Sequence, residues 1–142
     1  MSAARSARAR RLLAVETLRV AARERDLADA RRALEAREAV VAAAESEARA
    51  ADGRWLELDA ADDLGQASAH RHALVTKVLR AKASVASAAA EVRVKEVAAV
   101  DARMAERRFE ILIEGFVRAD GAREQKLERR ISDEHAARRR EA

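Results

Sequence analysis

Large apolar residues recur at every seventh position through the first third of the chain. The series consists of Leu13, Val20, Leu27, Leu34 and Val41, and Ala48 and Trp55 continue its spacing. In a left-handed coiled coil every seventh residue returns to the same side of the helix, so this spacing predicts one long helix with a heptad seam. The companion seam position is weaker. It holds Ala30, Ala44 and Ala51, with Arg23 and Arg37 between them.

A second apolar series begins after residue 70. It advances in alternating steps of four and three through Leu74, Val78, Ala81, Val85, Ala88 and Val92. Beyond Val92 the large apolar residues change phase and continue as Val97, Val100, Met104 and Ile111. A change of phase in a heptad pattern is a stutter, which locally unwinds the supercoil. The sequence therefore predicts a second long helix whose seam shifts after Val92.

Between the two series, residues 52–66 contain two glycines and five acidic residues against one arginine. Gly53 or Gly65 could supply the left-handed residue that ends the first helix. We therefore predict a single all-α domain over residues 1–142, a long two-helix antiparallel coiled-coil hairpin. Its helices are expected at about 5–51 and 66–139, with the tip at about 52–66. The second helix is longer, so its C-terminal part should overhang the first.

Composition supports two helices with a narrow core. The chain has 142 residues, of which 38% are charged, and it lacks proline and cysteine. Two phenylalanines and one tryptophan are too few for the core of a compact domain of this length. No segment approaches the roughly 20 apolar residues that span a bilayer, so no membrane insertion is expected. The absence of cysteine is compatible with a reducing cytosol, and we expect a cytoplasmic protein.

Catalytic chemistry is not expected. The three histidines are His70, His72 and His135, and the first two point to different faces of a helix. No phosphate loop, nucleophile motif or metal-ligand cluster appears, so neither an enzyme nor a bound cofactor or metal is predicted. The basic run from Arg5 to Arg11 lacks aromatic stacking residues, so direct binding of nucleic acid is not expected either. That run could instead bind acidic loops of a protein.

The densest group of large apolar residues lies in the second helix. It comprises Phe109, Ile111, Leu112, Ile113, Phe116 and Val117. Consecutive helical residues point in directions about 100° apart, so a single partner helix cannot cover all six. We expect part of this group to be exposed and to bind another protein. The alternative is that the N-terminal segment, through Leu12, Leu13 and Val15, folds over the group and buries it.

Several of these features together resemble one family, the coiled-coil stalk proteins of type III secretion known as FliJ in flagella and YscO (SctO) in virulence systems. The likeness covers nearly the whole chain. It consists of the length, the basic start at Arg5–Arg11, a single mid-chain reversal with Trp55 ahead of the second helix, and a basic C-terminal helix. The most suggestive segment, Ala122–Ala136, is a basic helical run that leads into the pair Asp133-Glu134.

This resemblance implies a non-catalytic central stalk at the cytoplasmic face of a secretion complex. The stalk would link the hexameric export ATPase to the membrane export gate, with secretion chaperones as further candidate partners. The residues expected to bind the ATPase are Arg8, Arg10, Arg11, Leu112, Phe116, Val117, Arg123, Lys126 and Arg130. Those expected to bind the gate are Trp55, Leu56, Leu58, Leu74, Val75 and Leu79.

Two questions stay open at the level of sequence. The flagellar and virulence branches are not separated, although the absence of an apolar-aromatic N-terminus favours the virulence branch. A generic coiled-coil adaptor or structural spacer that self-associates is the alternative function. A monomer in solution would favour the stalk, and a stable dimer or tetramer would favour the spacer.

Overall fold

The protein is an antiparallel pair of long helices. The structure, a computed structural model, describes residues 2–55 and 61–141. Helix α1 covers Ser2–Trp55 and helix α2 covers Ala61–Glu141. Good helix formers dominate both segments and proline is absent, so nothing in either segment breaks the backbone hydrogen bonding. The predicted all-α hairpin is confirmed.

The ends of the helices near the reversal differ from the expected ones. Gly53 lies inside α1 and Gly65 inside α2, and neither has a positive φ. The prediction that one of them ends the first helix in a left-handed conformation is therefore wrong. Interhelical contacts continue to this level, because Asp52 accepts a 3.1 Å contact from Arg71. Packing against the partner helix can offset the roughly 1 kcal/mol that a glycine costs inside a helix. The predicted tip residues Leu56 and Leu58 lie outside the described residues.

Contacts divide the chain into two compact units. The terminal unit combines Met1–Ala22 with Val100–Ala142, and the middle unit is Arg23–Ala99. Each unit therefore takes one segment from α1 and one from α2.

In the middle unit the core is the predicted heptad seam. All of its predicted α1 positions from Leu27 to Trp55 are half-buried or buried. On α2, Leu74, Ala88 and Val92 are buried and Val78, Ala81 and Val85 are half-buried. Arg37, which interrupts the apolar series, is accommodated because its guanidinium donates a 3.1 Å hydrogen bond to the carbonyl of Ser84. Both predicted seams are therefore present in this unit.

Ion pairs between the helices mark the register of the middle unit. Lys77 contacts Glu47 at 2.6 Å, Lys82 contacts Glu45 at 3.0 Å and Arg31 contacts Glu96 at 3.1 Å. From one pair to the next, the residue number on α2 rises as the residue number on α1 falls, as an antiparallel arrangement requires. Exposed pairs of this kind contribute little stability individually. Their value here is that they show which residues lie at the same level.

The predicted stutter after Val92 is wrong. Val97, Val100, Met104 and Ile111 are all more than half exposed. Among the half-buried and buried positions of α2 beyond Val92, one series keeps the alternating steps of three and four, and it consists of Lys95, Ala99, Ala102, Glu106, Phe109, Ile113 and Phe116. The seam keeps its phase because helix geometry fixes which residues face α1, even where those residues are small or charged.

In the terminal unit, large α2 residues lie opposite small α1 residues. The hydroxyl of Thr17 donates a 2.9 Å hydrogen bond to Glu106, which fixes the register. Counting outward from this bond at the same rise in both helices brings Ala9 level with the residue after Ile113, and Ser6 level with the residue after Phe116. Ser6 and Ala9 are buried. The bulk of Phe116 and Ile113 is therefore accommodated by small partners, as close packing requires.

The C-terminal part of α2 extends beyond its partner. Every described residue from Ala122 to Glu141 is exposed, whereas Gly121 and Asp120 are half-buried. This end of α2 is the predicted overhang. No helix among the described residues combines the length and the apolar character needed to cross a membrane.

Two substitutions distinguish the observed seam from the shifted seam that was predicted from the large apolar residues. Val92 is 8% exposed and Val97 is 61% exposed. Val92→Asp buries an unpaired carboxylate and should cost about 3 kcal/mol or more in the free energy of unfolding. Val97→Asp, the matched control, should change it by no more than about 0.5 kcal/mol. Urea unfolding followed by circular dichroism measures both. Equal losses would show that Val97 lies in the seam.

Candidate protein-binding surfaces

The apolar group of the terminal unit is split between core and surface. Phe109, Ile113 and Phe116 are spaced by four and three and are half-buried in the seam. Ile111, Leu112 and Val117 are exposed. The N-terminal segment covers only part of the group, since Leu13 is half-buried while Leu12 and Val15 remain exposed. Large apolar side chains therefore remain available at the surface of this unit.

The hairpin has two sides, which the ion pairs of the middle unit distinguish. Lys77 and Glu47 each directly precede a seam residue, Val78 and Ala48 respectively. Arg31, Glu96, Lys82 and Glu45 each directly follow one. Residues that precede seam positions thus meet on one side and residues that follow them meet on the other, as expected for antiparallel helices.

The same rule assigns the exposed residues of the terminal unit to sides. Leu12 precedes the seam residue Leu13, and Leu112 precedes Ile113. They lie on one side, which we call the Leu112 side. Val117 follows the seam residue Phe116 and lies on the opposite side, which we call the Val117 side.

The Val117 side carries the carboxylates of this segment of α2. Arg107 contacts Glu110 at 2.8 Å and Glu114 at 3.5 Å. The hydrogen bond that Arg107 donates to Glu110, together with the charge of Glu114, raises the pKa of Arg107 above its ordinary value. The charges on this side are therefore largely compensated within the helix.

The N-terminal arginines are not compensated in this way. Arg5, Arg8, Arg10 and Arg11 are exposed, and none forms an ion pair with another residue that the structure describes. The terminal unit as a whole has 16 lysines and arginines against 11 acidic residues, whereas the middle unit has 13 against 14. The excess positive charge of the chain is therefore concentrated in the terminal unit.

The residues predicted to bind the ATPase all belong to the terminal unit. Phe116 is half-buried in the seam, and the other eight are exposed. On the overhang, Arg123 is 3.9 Å from Asp120 and Arg130 is 3.4 Å from Glu134, while Lys126 is exposed. The structure thus brings the predicted set into one unit, but distributes it over several faces.

The residues predicted to bind the gate lie near the reversal in the middle unit. Leu74 is only 5% exposed and belongs to the core, so its side chain offers no surface. Val75 and Leu79 are exposed and line a shallow groove together with Ala48 and Val78. Trp55 is half-buried at the end of α1.

Sequence reasoning missed the polar residues of this groove. They are Glu45, Arg49 and Asp52, which belong to α1. These residues could be recognised only from the register of α1 against α2, because that register places them level with Val75 and Leu79. The groove therefore combines an apolar base with charges of both signs.

The chain matches no protein-family model, no curated protein and no solved structure. Any function therefore has to be inferred from these surfaces and from the resemblance described above.

One charge pair near the groove gives a pH-dependent prediction. The 2.6 Å hydrogen bond from Lys77 lowers the pKa of Glu47 below its ordinary value of 4.5. Because the pKa is lowered on folding, Glu47 stabilises the hairpin above that ordinary pKa, and the contribution is lost as the pH falls through the folded-state value. Lys77→Met should return the pKa of Glu47 toward its ordinary value in a carboxyl NMR titration.

The matched control for this titration is Lys82→Met, which removes the neighbouring pair with Glu45. It should leave the titration of Glu47 unchanged. If Lys77→Met also leaves it unchanged, the pair does not form in solution.

Proposed function

We propose that the chain is the non-catalytic central stalk of a type III secretion apparatus. In this proposal the terminal unit binds the hexameric export ATPase, and the part of the middle unit near the reversal binds the export gate. The stalk would act in the cytoplasm, at the cytoplasmic face of the membrane-embedded secretion complex.

The observation that carries the proposal is the difference between the two surfaces. The terminal unit combines four arginines without ion pairs, Arg5 to Arg11, with the exposed apolar residues Leu112 and Val117. The surface near the reversal is instead a groove with mixed charges around Val75 and Leu79. A protein that links two different partners needs two chemically different surfaces, because each surface must bind its own partner and not the other one.

The terminal surface is suited to a partner that surrounds it. Exposed apolar residues of this size usually mark an interaction site, and here they lie on more than one face of α2. Unpaired arginines around them would speed association with an acidic partner and contribute to orientation. A ring-shaped ATPase would surround this surface, and acidic residues in its lumen would meet the second requirement, which is why we favour the stalk.

A self-associating coiled-coil adaptor is the second candidate, and one observation favours it. Leu79, Val94 and Val97 are each more than 60% exposed on α2 of the middle unit. Alternating steps of four and three are the spacing of a coiled-coil seam. A second series with this spacing consists of Leu79, Ala83, Ala86, Ala90, Arg93 and Val97, and only Arg93 in it is not apolar. Light scattering of the purified chain separates the candidates, because a monomer is expected for the stalk and a stable dimer for the adaptor.

Removal of residues 123–142 should abolish binding to the ATPase. The described part of this segment is exposed throughout, so its loss should leave the seam and the helical circular dichroism per residue unchanged. Binding to the gate, measured in parallel by titration calorimetry, should persist. Loss of both interactions from a folded protein would contradict the assignment of the two surfaces.

Binding to the gate should depend on the groove near the reversal. Leu79→Glu places a carboxylate beside Glu45 and Asp52 and should weaken gate binding by at least about tenfold, the scale of a central apolar contact. Val40→Glu is the matched control, because Val40 is similarly exposed on α1 and lies outside the groove. Equal effects of the two substitutions, or none from Leu79→Glu, would place the gate contact elsewhere.

A further inference from the structure

We propose that the Leu112 side of the terminal unit binds an acidic amphipathic helix of a partner protein. The helix would lie along the groove between α1 and α2. The proposal concerns the chemistry of the bound segment and holds whichever protein supplies it, so it does not depend on the export ATPase being the partner.

The apolar base of this surface is formed by both helices. Counting five residues back from Thr17 and five forward from Glu106 brings Leu12 level with Ile111, next to Leu112. Leu12 is 42% exposed and Leu112 is 45% exposed, and both precede seam residues. They therefore flank the seam at one level, one on each helix. Val15 is also exposed and lies three residues beyond Leu12, which places it on the same face of α1.

The charges around this base are of one sign. Arg8 lies four residues before Leu12 and Arg108 four residues before Leu112, and both are exposed. Residues four apart share a helix face, so these two arginines border the apolar base. The other α2 residues on this side, Ala105, Gly115 and Ala119, are uncharged. No carboxylate lies on this side within residues 3–15 and 102–119, all of which the structure describes.

The opposite side has a similarly exposed apolar residue but differs in its charges. Val117 is 52% exposed, about as much as Leu112, but the carboxylates of Glu110 and Glu114 lie on its side and hold Arg107. An acidic partner would be attracted to the Leu112 side, where no carboxylate offsets the arginines, more than to the Val117 side, where Glu110 and Glu114 compensate Arg107. The charge distribution therefore selects one of two similarly exposed apolar surfaces.

Gly115 leaves space for close approach on the selected side. It lies three residues after Leu112, and a Cβ added at this position would have no neighbour within 4 Å. A helix that packs beside Leu112 can thus come nearer to the backbone of α2 than any larger residue would permit.

The shape of the surface favours a helix over a membrane. Leu12 and Leu112 lie on different helices on either side of the groove between them, and a third helix packs into such a groove as in a helical bundle. Insertion into a lipid surface instead requires apolar residues along the outward face of one helix. An anionic membrane has the same charge as an acidic helix, so the test includes it as a separate arm.

The test uses the full chain and a fluorescent synthetic peptide of about three heptads, with leucine at the seam positions and glutamate around them. Fluorescence anisotropy should show binding that weakens with added salt, and a peptide with lysine in place of glutamate should not bind. Leu112→Glu and Arg108→Glu should each weaken binding of the acidic peptide by at least about tenfold. Val117→Glu is the matched control and should change it by less than about twofold.

A further variant separates binding from folding. Gly115→Gln adds a side chain into open space and should raise the melting temperature of the chain, because glutamine is the better helix former. It should nevertheless weaken binding of the peptide by at least about fivefold, by blocking close approach. Unchanged affinity in this folded variant would overturn the proposal.

Three other results would also overturn it. One is an equal loss of affinity for Val117→Glu and Leu112→Glu, and another is equal binding of the lysine peptide. The third is binding to vesicles of phosphatidylglycerol, lost with Leu112→Glu, without any binding of the acidic peptide. That result would assign the surface to a membrane.

Discussion

The fold depends on the fit of small side chains on one helix against larger ones on the other. Among the residues whose burial the structure describes, four of the seven buried apolar ones are alanines, Ala9, Ala44, Ala88 and Ala99, and no side chain is completely buried. Each such contact removes little apolar surface from water, so the helices are held together by many weak contacts rather than by one centre. Small seam residues also bring the two backbones close. A change at any one seam position therefore affects its neighbours, whereas the outer faces are free to carry other functions.

This seam explains which part of the fold was predictable from the sequence. The series from Leu27 to Val41 and from Leu74 to Val92 was recognised because large apolar residues occupy the seam there. Between Val92 and Phe109 the seam contains Ala99, Ala102 and Glu106, whereas the large residues Val97, Val100 and Met104 lie on outer faces. In this segment the largest apolar residues are not the ones that face α1. A prediction based on the size of the apolar residues therefore selects the wrong face of α2. Similarly, the two glycines suggested a helix end, but neither has a positive φ and the backbone stays helical at both.

The candidate surfaces were predictable only in part. Three consecutive large residues, Ile111 to Ile113, cannot all face one partner, so some exposure was certain from the sequence. Which of them are exposed, and which residues of α1 accompany them, required the register that Thr17 and Glu106 establish. Leu12 is distant from Leu112 in sequence, and nothing in either local pattern connects them. The same holds for the acidic residues beside Val75, which belong to the other helix.

The stalk function is tested most directly by the stoichiometry of a complex. The full chain would be mixed with the purified hexameric export ATPase in the presence of nucleotide, and the assemblies would be weighed by native mass spectrometry. A central stalk predicts one chain for each hexamer, with no further binding when the chain is in excess. Binding of one chain to every ATPase subunit, or association of the chain only with itself, would contradict the proposed function.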